Sequence, residues 1–197
     1  MNSKTALLAA LLAAAPFAAS AGGVEYTYVE AGYVHLDVED GNDDGFQLRG
    51  SVAVAENVYL HGGYASIETD DFNVELEESQ LGVGLRSDLG ERADFIAELG
   101  YVRYDLSVDD VLGVSGSDYI DGGRVSVGLR GLLADRVEGW AKASYNDGGD
   151  FDGSFSALVG AQVRFNRTWG VFGEIECGEL LEDVDTTKYM VGVRASF

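Results

Sequence analysis

The sequence predicts an all-β fold: a transmembrane antiparallel up-and-down β-barrel of ten strands. Three observations predict it. After residue 21 the chain reads as segments of period-two alternation, each ten to fifteen residues long. An ordinary strand runs about 5 or 6 residues, whereas a tilted membrane-crossing strand needs about 9–11. The connections alternate between tight turns and longer stretches, most of them rich in Asp, Glu and Gly. The chain also opens with an export signal.

That signal comes first in order. Met1–Lys4 is a polar head with one positive charge, Ala6–Ala15 is an unbroken Ala/Leu run, and Pro16 precedes Ala19-Ser20-Ala21. A charged head, a short apolar core and a small-x-small site define a secretory signal peptide. The core is too short for a spanning helix of about 20 apolar residues. Residues 1–21 are therefore expected to be removed, leaving residues 22–197 as one barrel domain.

The strands follow. The first, Val24–Asp37, puts Tyr26, Tyr28 and Glu30 on one face. Glu30 does not belong in lipid, so this face turns inward or a bulge shifts the register. Strands two and three, Phe46–Ala55 and Val58–Glu68, are joined by Glu56-Asn57; misreading this pair is the route to the alternative of eight strands. In strand four, Val74–Ser87, Leu81, Val83 and Leu85 oppose Gln80, Gly82, Gly84 and Arg86. The turn Asp88–Arg92 leads to strand five, Ala93–Leu106. In strand six, Tyr119–Leu133, Val125, Val127 and Leu129 oppose Arg124, Ser126, Gly128 and Arg130. Strand seven, Val137–Asn146, carries Trp140 on the parity of Glu138 and Lys142, hence inside. Strand eight, Ser154–Asn166, sets Ala157, Val159, Ala161 and Val163 against Ser156, Leu158, Gly160, Gln162 and Arg164. Strand nine is Trp169–Gly178. Strand ten, Thr187–Phe197, sets Tyr189, Val191, Val193, Ala195 and Phe197 against Met190, Gly192, Arg194 and Ser196. Starting and ending on the side of the short turns requires an even strand number, which ten satisfies. Aromatics such as Phe46, Tyr59, Tyr64, Tyr104, Tyr145, Phe155, Trp169 and Phe197 gather near strand ends, where membrane interfaces favour them.

Charge divides by face. The expected interior set is Arg49, Arg86, Arg124, Arg130, Lys142, Arg164 and Arg194 against Glu98, Glu138, Glu174 and Glu176. Buried charges are costly unless paired, so an interior ion-pair ladder is expected, with Glu174 and Glu176 facing Arg164 and Arg194 on neighbouring strands. Gly82, Gly84, Gly100, Gly128, Gly160 and Gly192 leave room for it. Such a ladder either plugs a narrow barrel or lines a thin wet passage. The five longer connections, Val38–Gly45, Thr69–Asn73, Ser107–Asp118, Asp147–Gly153 and Glu179–Thr186, carry with their flanks 23 of the 34 acids, Glu75, Glu77 and Glu78 among them. A rim this acidic attracts divalent cations and repels polyanions. Glu39–Gly45 lacks the ligand spacing of an EF-hand loop. Loose cation bridging to lipopolysaccharide phosphates stands beside a simply hydrated surface.

Composition excludes other classes. The net charge is −21, with 13 Lys and Arg against 34 Asp and Glu, which argues against a nucleic-acid binder. Cys177 is the one cysteine, and His35 and His61 are the two histidines, so Cys-based zinc and multi-histidine metal sites are excluded. No Gly-x-Ser-x-Gly elbow or nucleotide fingerprint is present. Neither an enzyme nor a cofactor is expected. Cys177, on the apolar parity of strand nine, reads as a lipid-facing or rim residue.

The chain as a whole resembles a small bacterial outer-membrane β-barrel. The last residues carry this best: terminal Phe197 with Ala195, Val193, Val191 and Tyr189 is similar to the signal by which such barrels are handed to the barrel-assembly machinery. Tyr26–Tyr33, Phe46–Ala53 and Gly62-Gly63-Tyr64 resemble a family of outer-membrane barrels found in xanthomonads. The resemblance implies an outer-membrane location, contact with lipid and lipopolysaccharide, and no catalytic residue. Two roles remain open. One is a structural or interaction barrel presenting acidic extracellular loops; the other is a narrow, porin-like channel with a cation-favouring mouth.

Overall fold

A computed structural model describes residues 23–38, 41–69, 74–111, 114–149, 151–181 and 184–197. The expected signal peptide, residues 1–21, lies outside the described residues. The strands are β1 (Tyr28–Val38), β2 (Gly41–Ala55), β3 (Val58–Thr69), β4 (Val74–Asp88), β5 (Ala93–Val111), β6 (Val114–Ala134), β7 (Val137–Gly148), β8 (Phe151–Arg164), β9 (Trp169–Leu181) and β10 (Val184–Ser196). Each pairs antiparallel with its neighbours in chain order, and β1 closes on β10 from Tyr28↔Ser196 to Val38↔Thr186. The barrel is closed and ten-stranded, so the eight-stranded alternative is set aside.

The strand ends differ from those expected. Most of the stretches read as long loops are ladder. β2 begins at Gly41 rather than Phe46, β5 and β6 run to Val111 and from Val114, β8 starts at Phe151, and β9 and β10 reach Leu181 and Val184. The reason is solvation. Above the membrane both faces of a hairpin meet water, so apolar–polar alternation stops while backbone pairing continues. At the other end the turns are short, as expected, and Gly90 takes φ +121° in the β4–β5 turn.

Alternation fixes the two faces. Leu81, Val83, Leu85, Leu99, Val125, Val127, Leu129, Val159, Val163, Val191 and Val193 point outward and are exposed. A water-soluble protein rarely exposes a contiguous apolar band this large, whereas lipid requires one. Tyr33, Phe46, Tyr101, Tyr145, Phe155 and Tyr189 mark its extracellular edge, and Phe95, Phe165, Trp169 and Phe197 its periplasmic edge. Tyr59 and Tyr104, read as interfacial, instead point inward and are buried.

The inner face is packed by large side chains laid against glycines of the next strand. Tyr59 crosses Gly84, and a Cβ at Gly84 would fall within its ring. Trp140 crosses Gly160, where a Cβ would come 2.5 Å from Nε1. His61 lies on Gly82 in the same way. Val34, Leu36, Ile67, Leu158, Phe172 and Met190 form an apolar cluster with Trp140, while Val24, Tyr26, Tyr59 and Ile96 form a second one.

Gly84→Ala is expected to destabilise the barrel by about 1–3 kcal/mol through overpacking against Tyr59. Adding Tyr59→Leu should recover part of that loss. Equilibrium urea unfolding in lipid vesicles measures both; additive losses would mean the two residues do not share the space.

Candidate functional site: a charge-filled lumen and an acidic rim

The first feature is the lumen. Its centre is built on Glu30, whose face in β1 turns inward with Tyr26 and Tyr28. Glu30 is 1% exposed, too buried to stay charged alone, and two arginines flank it. Arg49 Nη2 lies 2.8 Å from Glu30 Oε2, and Arg194 donates to Glu30 Oε1. The register explains this trio, since Glu30 stands opposite Arg49 on β2 and Arg194 on β10. Each arginine then reaches another carboxylate. Arg49 Nη2 meets Glu174 at 2.6 Å, and Arg194 Nη1 meets Glu138 at 3.2 Å. Arg130 binds Glu138 at 2.6 Å, and Trp140 Nε1 donates to Glu174 at 2.7 Å. The guanidinium of Arg194 also stacks over Tyr28 and Trp140, 4.3 and 4.6 Å from the ring centroids.

Two further groups adjoin it, the second of them toward the extracellular end. Lys142 pairs with Glu98 at 3.1 Å, and Tyr59 donates to Glu98 at 2.7 Å. Lys188 bridges Glu78 at 3.0 Å and Glu176 at 3.2 Å, while Arg124 meets Glu78 at 3.4 Å, Tyr104 at 2.9 Å and Asn146 at 2.6 Å. At the periplasmic end Arg86 lies 3.5 Å from Asp94, which also accepts from Tyr26 at 2.9 Å. Three small cavities of about 70, 40 and 40 Å³ follow one another along the lumen. On a need of roughly 10–15 Å³ per water, each holds a few. Arg49, His61, Gln80, Glu98 and Lys142 border both of the first two; Glu78, Arg124, Glu176 and Lys188 border both of the last two. The ion-paired groups thus line the junctions between successive cavities. Among the described residues, His61 Nε2 and both amide atoms of Gln162 are buried without a hydrogen-bond partner.

Several expected placements change. Glu174 and Glu176 do not face Arg164 and Arg194. Arg164 and Arg194 both stand opposite Gly170, four positions along β9 from Glu174, or about 13 Å at ~3.3 Å per residue. Glu174 reaches Arg49 across the bore instead. Arg164 makes no ion pair among the described residues. Lys188, left outside the interior set, and Glu78, assigned to the rim, are both inside. Glu30 and Asp94 also belong to the network. Parity could have found Lys188, which shares a face with Met190 and Arg194.

The second feature is the outward rim. His35 stands two residues above Tyr33, beyond the aromatic edge. Its Nδ1 lies 2.6 Å from Asp44 Oδ1 and its Nε2 3.3 Å from Asp37 Oδ1. Tyr33 also donates to Asp44. The Asp44 bond raises the His35 pKa above its ordinary value, and bonds from Tyr33 and then His35 lower that of Asp44. Tyr64 donates to Glu77, Ser66 to Glu75 at 3.0 Å, and Arg103 Nε to Asp105 at 2.7 Å. Asp43 and Asp44 of the acidic first hairpin lie on β2, while residues 39–40 fall outside the described residues. His61 is in the lumen and His35 outside it, so the two do not share a site. Among the described residues no group of three or more His, Cys, Asp or Glu is placed to hold a metal ion. Cys177 is exposed on the outer face, 3.9 Å from Thr187 Oγ1.

The family described as outer membrane protein beta-barrel domain matches residues 5–197. No curated protein matches the chain. Among solved structures it is similar to Ail, the attachment invasion locus protein of Yersinia pestis, in complex with the heparin analogue sucrose octasulfate. The identity there is 15%, over 87% of this chain and 97% of that one, with a TM-score of 0.48. It is also similar to the translocator domain of the autotransporter NalP from Neisseria meningitidis, at 14% identity, 98% and 96% coverage and TM-score 0.49. Neisserial surface protein A matches at 16% identity, 86% and 96% coverage and TM-score 0.45.

Two measurements follow from the lumen and the rim. Glu30→Ala leaves Arg49 and Arg194 each short of a partner and is expected to cost roughly 3–5 kcal/mol, whereas Arg164→Ala stays within about 0.5 kcal/mol. Urea unfolding in vesicles compares them; equal losses would remove Glu30 from the centre of the network. At the rim, a histidine whose folded pKa is raised contributes stability below its ordinary pKa of about 6.5 and loses it as pH rises through the higher folded value. An NMR titration of His35 should therefore show a midpoint above 6.5 that falls back in Asp44→Asn; an unchanged midpoint would rule out the contact.

Proposed function

The chain belongs to the outer membrane protein β-barrel family, and from that premise we propose that it is a non-enzymatic scaffold of the outer membrane. It holds acidic hairpins at the cell surface for contact with other molecules. The observation that carries this reading is the ion-paired lumen. Ion-paired groups line cavities that each hold only a few waters, and truncating a partner in such a pair is costly. A bore filled in this way serves stability better than passage.

The rim supplies the contacts. Its outward carboxylates, including Asp44, Glu75, Glu77 and Asp105, lie at and above the extracellular aromatic edge, level with lipopolysaccharide headgroups. Loose bridging to lipopolysaccharide phosphates by divalent cations fits this placement. Tyr189, Val191, Val193, Ala195 and Phe197 serve as the assembly signal read by the barrel-assembly machinery, after loss of residues 1–21. Phe197 follows β10 on the outward parity, its N–H donating to Thr27 carbonyl at 2.9 Å. The segment Glu25–Tyr64 further suggests the xanthomonad branch of the family. A narrow channel is the second reading, favoured by the succession of water-sized cavities along the lumen.

Planar-bilayer recording decides between the two. Barrel shown by heat-modifiable gel migration to be folded is expected to give no current steps. Reproducible steps that weaken in Glu174→Gln and Glu176→Gln would establish the channel.

A further inference from the structure

The hairpin β5–β6 is taller than its neighbour β7–β8. Pairing of β6 with β7 stops at Gly123↔Asp147, yet β6 runs on to Val114. The β7–β8 turn still covers Asp121 and Gly122, since Cβ atoms at Gly149 and Gly122 would run into Asp121 and Gly148 carbonyls. Above that turn, Val114–Ile120 pairs, among the described residues, with β5 alone. At about 3.4 Å per residue this edge is roughly 24 Å long.

The direction of its donors can be read from the other end of the strand. Leu132 N–H donates to Arg92 carbonyl, on the β5 side, at 2.8 Å. The β5–β6 register then runs without a shift from Ala93↔Gly131 to Val108↔Gly116. Even-numbered N–H groups therefore face β5, and those of Ser117 and Tyr119 face the open edge. Among the described residues, Tyr119 N–H is met there by its own neighbour alone, Asp118 Oδ1, at 2.9 Å. A single side chain stands where a strand would otherwise be. Gly116, Ser117, Asp118 and Tyr119 are exposed.

We propose that this open edge of β6 takes up an extended, Lys- or Arg-bearing segment of another protein as an added strand. Backbone groups supply the affinity, as in other strand additions. Charge selects the partner: Asp118 and Asp147 are exposed beside the edge, while the adjacent Arg103 is engaged by Asp105 and lies 4.0 Å over the Tyr119 ring. A second copy of this chain is a poorer occupant, because it brings the same acids to the junction and like charges facing across strands repel. The proposal rests on the scaffold reading and names the class of its partner.

The test uses the barrel folded in nanodiscs and a fluorescein-labelled alternating Lys–Val octapeptide. Anisotropy should rise saturably with this peptide. Binding should weaken about tenfold or more for the same peptide N-methylated at alternate residues and for a Glu–Val octapeptide. Ser117→Pro removes an outward donor that β5 does not use, and should weaken binding about tenfold, with Ser117→Ala unchanged. Absence of Lys–Val binding would overturn the proposal. So would equal binding of the methylated peptide, which would mean charge alone, or of the Glu–Val peptide. Sedimentation showing dimers that Ser117→Pro disperses would assign the edge to a second copy instead. Current steps in bilayers would overturn the scaffold reading without touching the peptide result. Gel migration checks that Ser117→Pro folds, and the methylated peptide tests the edge without any substitution.

Discussion

The structure depends on what a closed ten-stranded bore does to charge. Every second residue of every strand is directed into the bore, and β1 commits Glu30 to it. A carboxylate that is 1% exposed must be neutralised by its neighbours. The register supplies Arg49 on one side and Arg194 on the other, and each arginine then requires a second carboxylate. Glu174 and Glu138 follow from that need, as Arg130 follows from Glu138. One buried acid at the β1 seam thus propagates a network across the lumen, and it joins the two ends of the chain where β1 meets β10.

The glycine pattern is the geometric counterpart of that network. A side chain as large as Tyr59 or Trp140 fits the bore only if the strand beside it presents no Cβ. Gly84 and Gly160 meet that condition. The inner wall is therefore close-packed from two kinds of residue, long polar or aromatic groups and the glycines they lie across. The same arrangement leaves only small cavities beside the ion pairs, which links packing directly to the charge pairing of the lumen.

Much of this was legible in the sequence, for identifiable reasons. Strand number, closure and the two faces follow from alternation, and lipid sharpens alternation because an inward-type residue such as Arg130 is intolerable outside. Inner residues could be assigned wherever parity was unbroken, as in β6 and β8. Partners could not. Arg49 and Glu174 are 125 positions apart and meet across the bore, which no local pattern encodes. The inward placement of Lys188 and Glu78 is hidden because both lie where the outer face has already turned polar. There the contrast between faces fades although the pleat continues. For the same reason the acidic stretches read as loops when they are ladder.

That last point bears on how the chain meets its surroundings. Acids in loose loops would form a diffuse hydrated cloud. Acids on strands are held at fixed spacing, and they alternate between the outer surface and the bore. Glu75 and Glu77 face outward to Ser66 and Tyr64, while Glu78 turns in to Lys188 and Arg124. One short run of acids in β4 therefore serves both the lumen and the rim. The paired lumen charges offset one another, so much of the chain's net charge of −21 is carried outside the bore. A rigid barrel lets these outward charges and an unpaired stretch of β6 backbone persist side by side at one face of the membrane. Such an edge is an aggregation hazard in most proteins. Here the barrel anchors it in the membrane, and Asp118 covers the Tyr119 N–H, leaving the edge guarded yet available.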